Sequence, residues 1–375
     1  MEALTIQRML ADYLPDVLQV QKFPLYQHKA LRKLSRCRTE ALGGHTQRCP
    51  EGHVNGIWYN SCKHRACPQC QGLASEEWLR NTQSILLDCP HHHVIFTMPS
   101  ALNELWRYNR SIMIDILFKA TQETLQKFAK DPKYLAAIPG MLLVLHTWGR
   151  NLSLHPHIHA LISHGGLNAS GKWVEPKKKD LFPQEPVMIV FRGKLLDMVR
   201  QSLKKGDLVL PFEVNMDEIQ RLLIKQRKKD WVVHFCPRYN HAKGVAKYLA
   251  RYVKGGPFRN QQLKAQTKTH LTFSYQSHQT KQREKLTLSH EAFVQRLVQH
   301  VLLPRKQTTR YSGLYTSSQR EKLNQARGQR GQKPVPPKIA LQWSDYLKEK
   351  GFEAVCNVCG LVLHHEEAIN NVKKA

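Results

Sequence analysis

Acidic side chains are scarce in this sequence. Its 375 residues include 57 lysines and arginines but only 29 aspartates and glutamates, which gives a formal net charge of +28. Binding of cationic side chains to phosphates is favourable because it releases counterions, so this imbalance predicts a nucleic-acid partner. A basic ribosomal-type protein or a membrane-surface protein is the alternative that charge alone leaves open.

Long apolar runs are also absent, since no stretch reaches the roughly 18 residues that a membrane-spanning helix requires. The start, MEALTIQRMLADYLPDVLQV, lacks the basic segment and apolar core of a signal peptide. We therefore expect a soluble, intracellular protein without membrane association. The nine cysteines are odd in number and clustered. In such a protein this pattern argues against a disulfide framework and for metal binding.

Hydrophobic patterning predicts an α+β fold in which helices flank a central antiparallel sheet. Strands are predicted at 93–99, 141–149, 157–164, 231–235 and 270–276, the second and third of them paired antiparallel. Helices are predicted at 1–30, 73–88, 102–129, 241–254 and 288–302, with Ser289 as the cap of the last one. Residues 187–226 are expected to form a strand and then a helix. The polar segment 318–338 is expected to be a flexible basic linker.

A cysteine-rich segment in the N-terminal part predicts a small zinc-stapled module. Zinc prefers four thiolate or imidazole ligands in a tetrahedron, and a Cys-x2-Cys unit places two thiolates on one turn. We predict a structural Zn²⁺ bound by Cys49, Cys62, Cys67 and Cys70. The alternatives are a second ion, or replacement of one ligand by His53, His45, His64 or Cys37.

A second Cys-x2-Cys unit, Cys356 and Cys359, lies near the C-terminus and is followed by His364 and His365. It supplies half the ligands of a zinc ribbon. Three alternatives stay open for this half-site. The two histidines could complete it, another chain could complete it, or it could be a remnant that binds no metal. Two further cysteines stand alone before prolines and are expected to be structural, namely Cys89 and Cys236.

Two histidines in the segment HPHIHALI, His157 and His159, would share one face of a strand, because side chains alternate along it. Imidazoles at that spacing can hold Mg²⁺ or Mn²⁺, which would polarise a phosphate oxygen. His146 on the neighbouring strand is a candidate third ligand, with a buried structural histidine as the alternative. The chain has 20 histidines, so the spacing by itself is close to chance.

Two tyrosines in the segment KGVAKYLARYVKGG, Tyr248 and Tyr252, would be neighbours on a helix. A tyrosine hydroxyl that attacks a phosphodiester forms a phosphotyrosine, which conserves the bond energy for rejoining. The far side of the helix is cationic and is expected to bind DNA through Lys247, Arg251 and Lys254. The alternative is a pair of boundary aromatic residues with solvated hydroxyls.

Several segments, in order, resemble the IS91 family of bacterial rolling-circle transposases. YNSCKHRACPQCQ resembles its N-terminal zinc signature, and HVIFTMPSALNELWRYNR resembles the strand and helix that follow. VLHTWGRNLSLHPHIHALISHGG resembles its HUH strands (His, hydrophobic, His), and YLARYVKG resembles its two-tyrosine helix. LTLSHEAFVQRLVQHVL and RYSGLY resemble its C-terminal catalytic segment. The similarity spans roughly residues 20–315. One departure is that relatives carry Cys-x2-Cys where this chain has Cys49 and His53.

The resemblance implies a transposase of the bacterial cytoplasm that cleaves and rejoins single-stranded DNA at element ends and at a target site. His157 and His159 would be the catalytic metal ligands, and Tyr248 and Tyr252 the nucleophiles. The implied domains are 1–90 (N-terminal helix and zinc binding), 91–315 (HUH-type catalytic) and 316–375 (linker and Cys-x2-Cys tail). A plasmid replication initiator or relaxase with the same chemistry, and a non-catalytic zinc-stabilised nucleic-acid-binding protein, are the alternatives.

Overall fold

The fold is taken from a computed structural model, which describes residues 4–178, 180–240, 243–253, 256–277 and 279–369. The helices in these residues are α1 (Ile6–Val20), α2 (Leu25–Ser35), α3 (Gly72–Ile85), α4 (Asn103–Tyr108), α5 (Arg110–Lys130), α6 (Gln184–Lys204), α7 (Met216–Arg227), α8 (Lys243–Val253), α9 (His290–Val298), α10 (Arg320–Gln329) and α11 (Trp343–Glu349). The strands are β1 (Gly44–Arg48), β2 (Val54–Tyr59), β3 (His91–Thr97), β4 (Ile138–Trp148), β5 (Leu154–Leu167), β6 (Trp173–Val174), β7 (Val233–Phe235), β8 (Leu263–Gln266), β9 (His270–Gln276), β10 (Arg283–Ser289), β11 (Thr309–Gly313) and β12 (His364–Ile369). Of the described helices, none combines the length and the apolarity needed to cross a membrane.

A central sheet has the strand order β11-β4-β5-β3-β7, with β6 paired to β5 outside this path. Every neighbouring pair in it is antiparallel. Both β4 and β5 are buried at nearly every position, because packed elements cover both faces of the sheet. The predicted α+β fold with a central antiparallel sheet, and the pairing of its two middle strands, are confirmed.

One face of the sheet packs against α5 and α6 and forms the largest apolar core. Residues of β4 and β5 that alternate along each strand face it, among them Leu143 and Ile158. At its centre the ring of Phe191 in α6 lies 5.0 Å from that of Phe96 and 5.8 Å from that of Trp231.

The opposite face of the sheet packs against α8 and α10. Val144 and Leu161 of the sheet form one cluster with Ala246, Leu249 and Val253 of α8. These three helix positions are three or four residues apart, which is the spacing of one helix face. The helix that contains the two candidate nucleophiles therefore covers this side of the sheet.

A second core joins the N-terminal helices to the three-stranded sheet β10-β9-β8 and to α9. Cys37, Cys62 and Cys67 belong to this core, so the cysteine-rich segment is anchored by apolar packing as well as by its own contacts. A third sheet has the order β12-β1-β2 and pairs a strand near the C-terminus with one near the N-terminus.

Three predictions of local structure are wrong. Residues 1–30 do not form one helix, because α1 ends at Val20 and the chain is extended at Gln21, before Pro24 caps the start of α2. Residues 187–226 contain no strand, since their short apolar run packs as a face of α6. The expected linker 318–338 contains α10, held by buried Leu323 and by Arg327, whose guanidinium donates to the carbonyl of Ser84.

The predicted cap of α9 is confirmed, since Ser289 Oγ accepts from the Ala292 N–H.

We expect Phe191→Ala to lower the free energy of unfolding by about 3–5 kcal/mol, because it removes a fully buried ring and leaves a cavity. Urea denaturation followed by circular dichroism measures this change. The control is Phe212→Ala, because that ring is 78% exposed, and it should change stability by less than about 0.5 kcal/mol. Equal losses in the two variants would contradict the assignment of this core.

Candidate functional site

Three histidines lie side by side on the face of the central sheet that α8 covers. His146 of β4 is directly opposite His157 of β5, and His159 of β5 is opposite Val144. Side chains that are paired across neighbouring strands project from the same face. His146, His157 and His159 therefore share the face that carries Val144 and Leu161.

The imidazoles of this cluster converge. The Nε2 atoms of His157 and His159 are 3.1 Å apart, and one ring nitrogen from each of the three histidines lies within 4.8 Å of the others. All three are buried, with His157 the most exposed at 9%. Three nitrogens from a rigid sheet, directed to one point, form a suitable ligand set for a divalent cation.

Hydrogen bonds to the second ring nitrogen orient the ligands on β5. His157 Nδ1 donates to the carbonyl oxygen of His155 at 2.7 Å. His159 Nδ1 lies 2.8 Å from His93 Nε2 of β3, a contact that is satisfied when His159 donates. In this arrangement both Nε2 lone pairs face the cluster, as for metal-bound histidines. Sequence reasoning missed His93, and the available signal was the run His91–His93 at the start of a predicted strand.

Burial keeps these imidazoles neutral. It lowers the pKa of His146 and of His159 far below the usual value of a histidine, and the neighbouring imidazoles add to the effect. Burial also lowers the pKa of His93 to about 4. Only a neutral imidazole can donate a lone pair to a cation, so the cluster can bind a metal at neutral pH.

The two candidate nucleophiles belong to α8, which packs on the same sheet face as the three histidines. The described part of the chain includes the helical backbone of Tyr248 and Tyr252, but their side chains and that of Arg251 lie outside it. Lys254 lies outside it altogether, and Lys247 is exposed on α8. The fold thus brings together the helix and the strands that were predicted to act together.

The first cysteine cluster differs from the prediction by one ligand. Cys62, Cys67 and Cys70 do group together, but the fourth sulfur comes from Cys37. The Sγ atoms of Cys37 and Cys67 are 3.4 Å apart, and those of Cys62 and Cys70 are 3.7 Å apart. Cys49 is absent from this group because it lies on the turn that joins β1 to β2, whereas Cys37 and Cys62 flank the opposite end of this strand pair. Neither of two alternatives among the described residues joins it, His45 or His64.

Ionisation of these four thiols is coupled. The hydrogen bond with Cys62 lowers the pKa of Cys37 to about 7, whereas the hydrogen bond with Cys37 raises the pKa of Cys67. Four thiolates at such distances repel one another, so they ionise together only around a cation. Four convergent sulfurs match a closed tetrahedral zinc site.

Cys49 and His53 form a second group with Cys356 and Cys359. The Cys49 thiol lies 3.4 Å from His53 Nδ1 and 3.6 Å from Cys359 Sγ. The C-terminal Cys-x2-Cys unit thus lies beside Cys49 of the same chain. Among the described residues, Cys89 and Cys236 belong to neither group.

A groove of about 950 Å³ separates the first cysteine cluster from the loop that precedes β11. Four of its lining side chains are basic and exposed: Lys29, Lys33, Lys63 and Arg305. Two aromatic residues, Tyr26 and Trp78, also line it. It reaches Val253, the last residue of α8, and so extends to the tyrosine-bearing helix.

Residues 140–322 match a protein family described as "Putative transposase", and residues 7–98 match a "Transposase zinc-binding domain" of the IS91 type. The chain is 30% identical over 291 residues to the transposase for insertion sequence element IS801 of Pseudomonas savastanoi pv. phaseolicola, covering 76% of this chain and 69% of that protein. It is 33% identical over 308 residues to "Putative transposase y4qJ" of Sinorhizobium fredii, covering 80% and 77%. The chain belongs to the IS91 family of transposases.

The family matches cover most of the candidate site of this transposase. The zinc-binding match includes the first cysteine cluster and β3, and the other match includes β4, β5 and α8. Cys356 and Cys359 lie beyond both. Among solved structures, the transposase is similar to the conjugative relaxase TrwC in complex with oriT DNA, with 14% identity over 43% of this chain and 71% of that chain. The TM-score is 0.23.

Buried neutral histidines should make the transposase sensitive to mild acid. Burial lowers the pKa of His91, His93 and His300 to about 4 each, whereas an unfolded chain binds these protons near pH 6.5. Their contribution to stability is therefore fully present above pH 6.5 and is lost as the pH falls towards 4. We expect a loss of about 2 kcal/mol per histidine between pH 7 and pH 5.

Urea denaturation at pH 7, 6 and 5 measures this loss. His300→Gln removes one of the titrating groups and should make the fall with pH shallower than in the wild type. A free energy of unfolding that stays constant from pH 7 to pH 5 would exclude neutral buried histidines.

We expect Cys37→Ser to lower the zinc content of the transposase by one ion per chain, because it removes one of four convergent sulfurs. Elemental analysis of the purified protein measures this content. Cys236→Ser is the matched control, since that thiol lies outside both cysteine groups, and it should leave the content unchanged. Retention of all zinc in Cys37→Ser would remove Cys37 from the ligand set.

Proposed function

We propose that this transposase cuts and rejoins single-stranded DNA through a tyrosine, by HUH-type chemistry. The hydroxyl oxygen of Tyr248 or Tyr252 attacks a phosphorus atom and loses its proton to water. The bond from phosphorus to the 3′ oxygen breaks, and the leaving oxygen takes up a proton. The products are a 5′-phosphotyrosine and a free 3′-OH. Attack of another 3′-OH on the phosphotyrosine restores a phosphodiester and releases the phenol.

The observation that carries this proposal is the placement of α8 on the sheet face that holds the histidine cluster. A nucleophile on a helix and a cation site on the strands beneath it can act on one phosphate. Two tyrosines on the helix would allow two linked transfers without hydrolysis between them. Energy conserved in the phosphotyrosine makes a nucleotide cofactor unnecessary.

We propose that His146, His157 and His159 hold the catalytic cation. Three neutral imidazoles suit Mn²⁺ better than Mg²⁺, which prefers oxygen ligands and retains more water. When bound, the cation would polarise a phosphate oxygen and offset charge in the transition state. His93 and the carbonyl of His155 would keep the two Nε2 lone pairs on β5 directed at it.

We further propose that the basic groove binds the DNA strand. Exposed Lys29, Lys33, Lys63 and Arg305 can contact phosphates, and Tyr26 and Trp78 offer rings on which unpaired bases can stack. Lys247, Arg251 and Lys254 would extend this basic surface along α8. The proposed DNA partners are the ends of the mobile element and its target site.

In this proposal residues 1–90 form the zinc-binding domain and residues 91–315 the catalytic domain, to which the packed helix α10 is added. A replication initiator or a relaxase could use the same chemistry. The curated relatives are transposases, which favours transposition.

The test is incubation with labelled single-stranded oligonucleotides carrying the element ends, in the presence of Mn²⁺. We expect a covalent protein–DNA adduct that survives denaturation. The double variant Tyr248→Phe with Tyr252→Phe should form none, because both hydroxyl nucleophiles are gone. His159→Ala should slow adduct formation about 100-fold or more, which corresponds to loss of a few kcal/mol of transition-state stabilisation.

Tyr108→Phe is the matched control, since that ring is exposed at the end of α4 and outside the site. It should form the adduct at the wild-type rate. Circular dichroism of every variant and the zinc content of the tyrosine variants should match the wild type, so that loss of activity is not loss of folding. Adduct formation by the double tyrosine variant, or no adduct from the wild type on any end sequence, would rule out the mechanism.

A further inference from the structure

Two metal-binding half-sites lie at opposite ends of the chain and meet in space. Cys49 and His53 are on the turn between β1 and β2, and Cys356 and Cys359 are on the turn before β12. One ligand atom from each of the four residues lies within 4.8 Å of the others. Cys49 and Cys359, whose sulfurs are 3.6 Å apart, are separated by 310 positions in the sequence.

Each half-site has a backbone suited to holding a metal ligand. In the first, the Gly52 N–H donates to the Cys49 carbonyl, and in the second the Gly360 N–H donates to the Cys356 carbonyl, both at 2.9 Å. Both glycines have positive φ, of 80° and 73°, which lets the turn close tightly. The Val358 N–H points at the Cys356 sulfur from 3.4 Å, a contact that stabilises a thiolate.

Main-chain pairing aligns the two half-sites. β12 pairs antiparallel with β1, from Arg48 opposite His364 to Gly44 opposite Ile369. The Asn357 N–H also donates to Asn55 Oδ1 at 3.1 Å. Together β2, β1 and β12 form a zinc-ribbon-like sheet, with one half-site on the turn between β1 and β2 and the other on the turn that precedes β12.

The described side chains of β1, β2 and the turn before β12 bury little apolar surface. The larger apolar ones among them are largely solvent-exposed: Val54 52%, Ile57 49% and Trp58 43% in β2, and Val358 72%, Leu361 42% and Val362 61% on the turn. A unit of this size in which the described apolar side chains are mostly exposed normally needs a metal or a disulfide to stay folded. Three sulfurs and one imidazole in one place provide the metal alternative.

The approach of the tail to this sheet follows contacts within the same chain. Ile339 exchanges two hydrogen bonds with Asn81 of α3, each of 2.8 Å. Glu349 of α11 pairs with Arg80, and Lys350 with Glu76. The chain therefore runs along α3 towards the N-terminal module before it reaches Cys356.

We propose that Cys49, His53, Cys356 and Cys359 bind a second zinc ion, which fastens the C-terminal tail to the N-terminal module of the same chain. This site is distinct from the Cys37–Cys70 cluster and half of it lies outside both family-matched segments. Its role is structural, since the four ligands leave no open position for substrate. It does not depend on the proposed tyrosine chemistry.

The first test is elemental analysis of zinc in the full chain. Cys356→Ser with Cys359→Ser should lower the zinc content by one ion per chain, and so should Cys49→Ser with His53→Ala. Cys236→Ser, the control, should lower it by none. Zinc held elsewhere, including at the histidine cluster, is common to all variants and cancels in the difference. An unchanged zinc content in both double variants would overturn the proposal.

A conservative variant separates ligation from folding. Cys359→His keeps a zinc ligand at this position, so it should retain the ion that Cys359→Ser loses. Equal zinc loss in the two variants would show that Cys359 acts through packing and not as a ligand, which overturns the proposal.

Coexpression of the two double variants tests whether the ligands come from one chain. In a site made within one chain, each variant lacks half the ligands and coexpression restores no zinc. Recovery of zinc in the mixture, together with a heterodimer on size exclusion, would show completion by another chain and overturn the same-chain assignment.

Discussion

His146 faces His157 because β4 and β5 pair antiparallel in one particular register. A shift of one residue would turn a strand over and bring Leu145 or Ile158 into the place of a ligand. That shift would also bury imidazoles in the apolar core beneath α5 and α6. Burial of apolar side chains on one face of the sheet therefore fixes the strand register, and with it the geometry of the polar cluster on the other face. The position of α8 over that cluster depends on the same two strands.

Burying the polar cluster is unfavourable in free energy, and other interactions of the fold must offset this. Several imidazoles are buried close together and kept neutral, although each would be more favourably solvated in water. Hydrogen bonds among His93, His155 and the β5 ligands recover part of this free energy. The apolar packing around Phe191 and under α8 offsets the rest of this free energy. The same packing holds the imidazoles rigidly in the positions that a metal ion requires.

Sequence reasoning succeeded where chemistry and local geometry coincide. The strand pattern placed His157 and His159 on one face, and the adjacency of two predicted strands suggested His146. His93 could not be predicted, because its position depends on the register of β3 with β5. Cys49 was grouped with the wrong cysteines because spacing along the chain does not distinguish two neighbouring clusters. The apolar run in α6 was taken for a strand, since a short buried run fits either element.

The pairing of β1 with β12 also affects the order in which the chain can fold during synthesis. β1 is made early, yet one of its edges pairs with residues that lie about 320 positions later. At 5–20 residues per second, the ribosome needs roughly 16–64 s to reach them. Throughout that time β1 keeps an open edge able to pair with other strands, and only a fully translated chain can close it. A message truncated at its 3′ end would therefore yield a transposase with an intact central sheet and an unfinished N-terminal module.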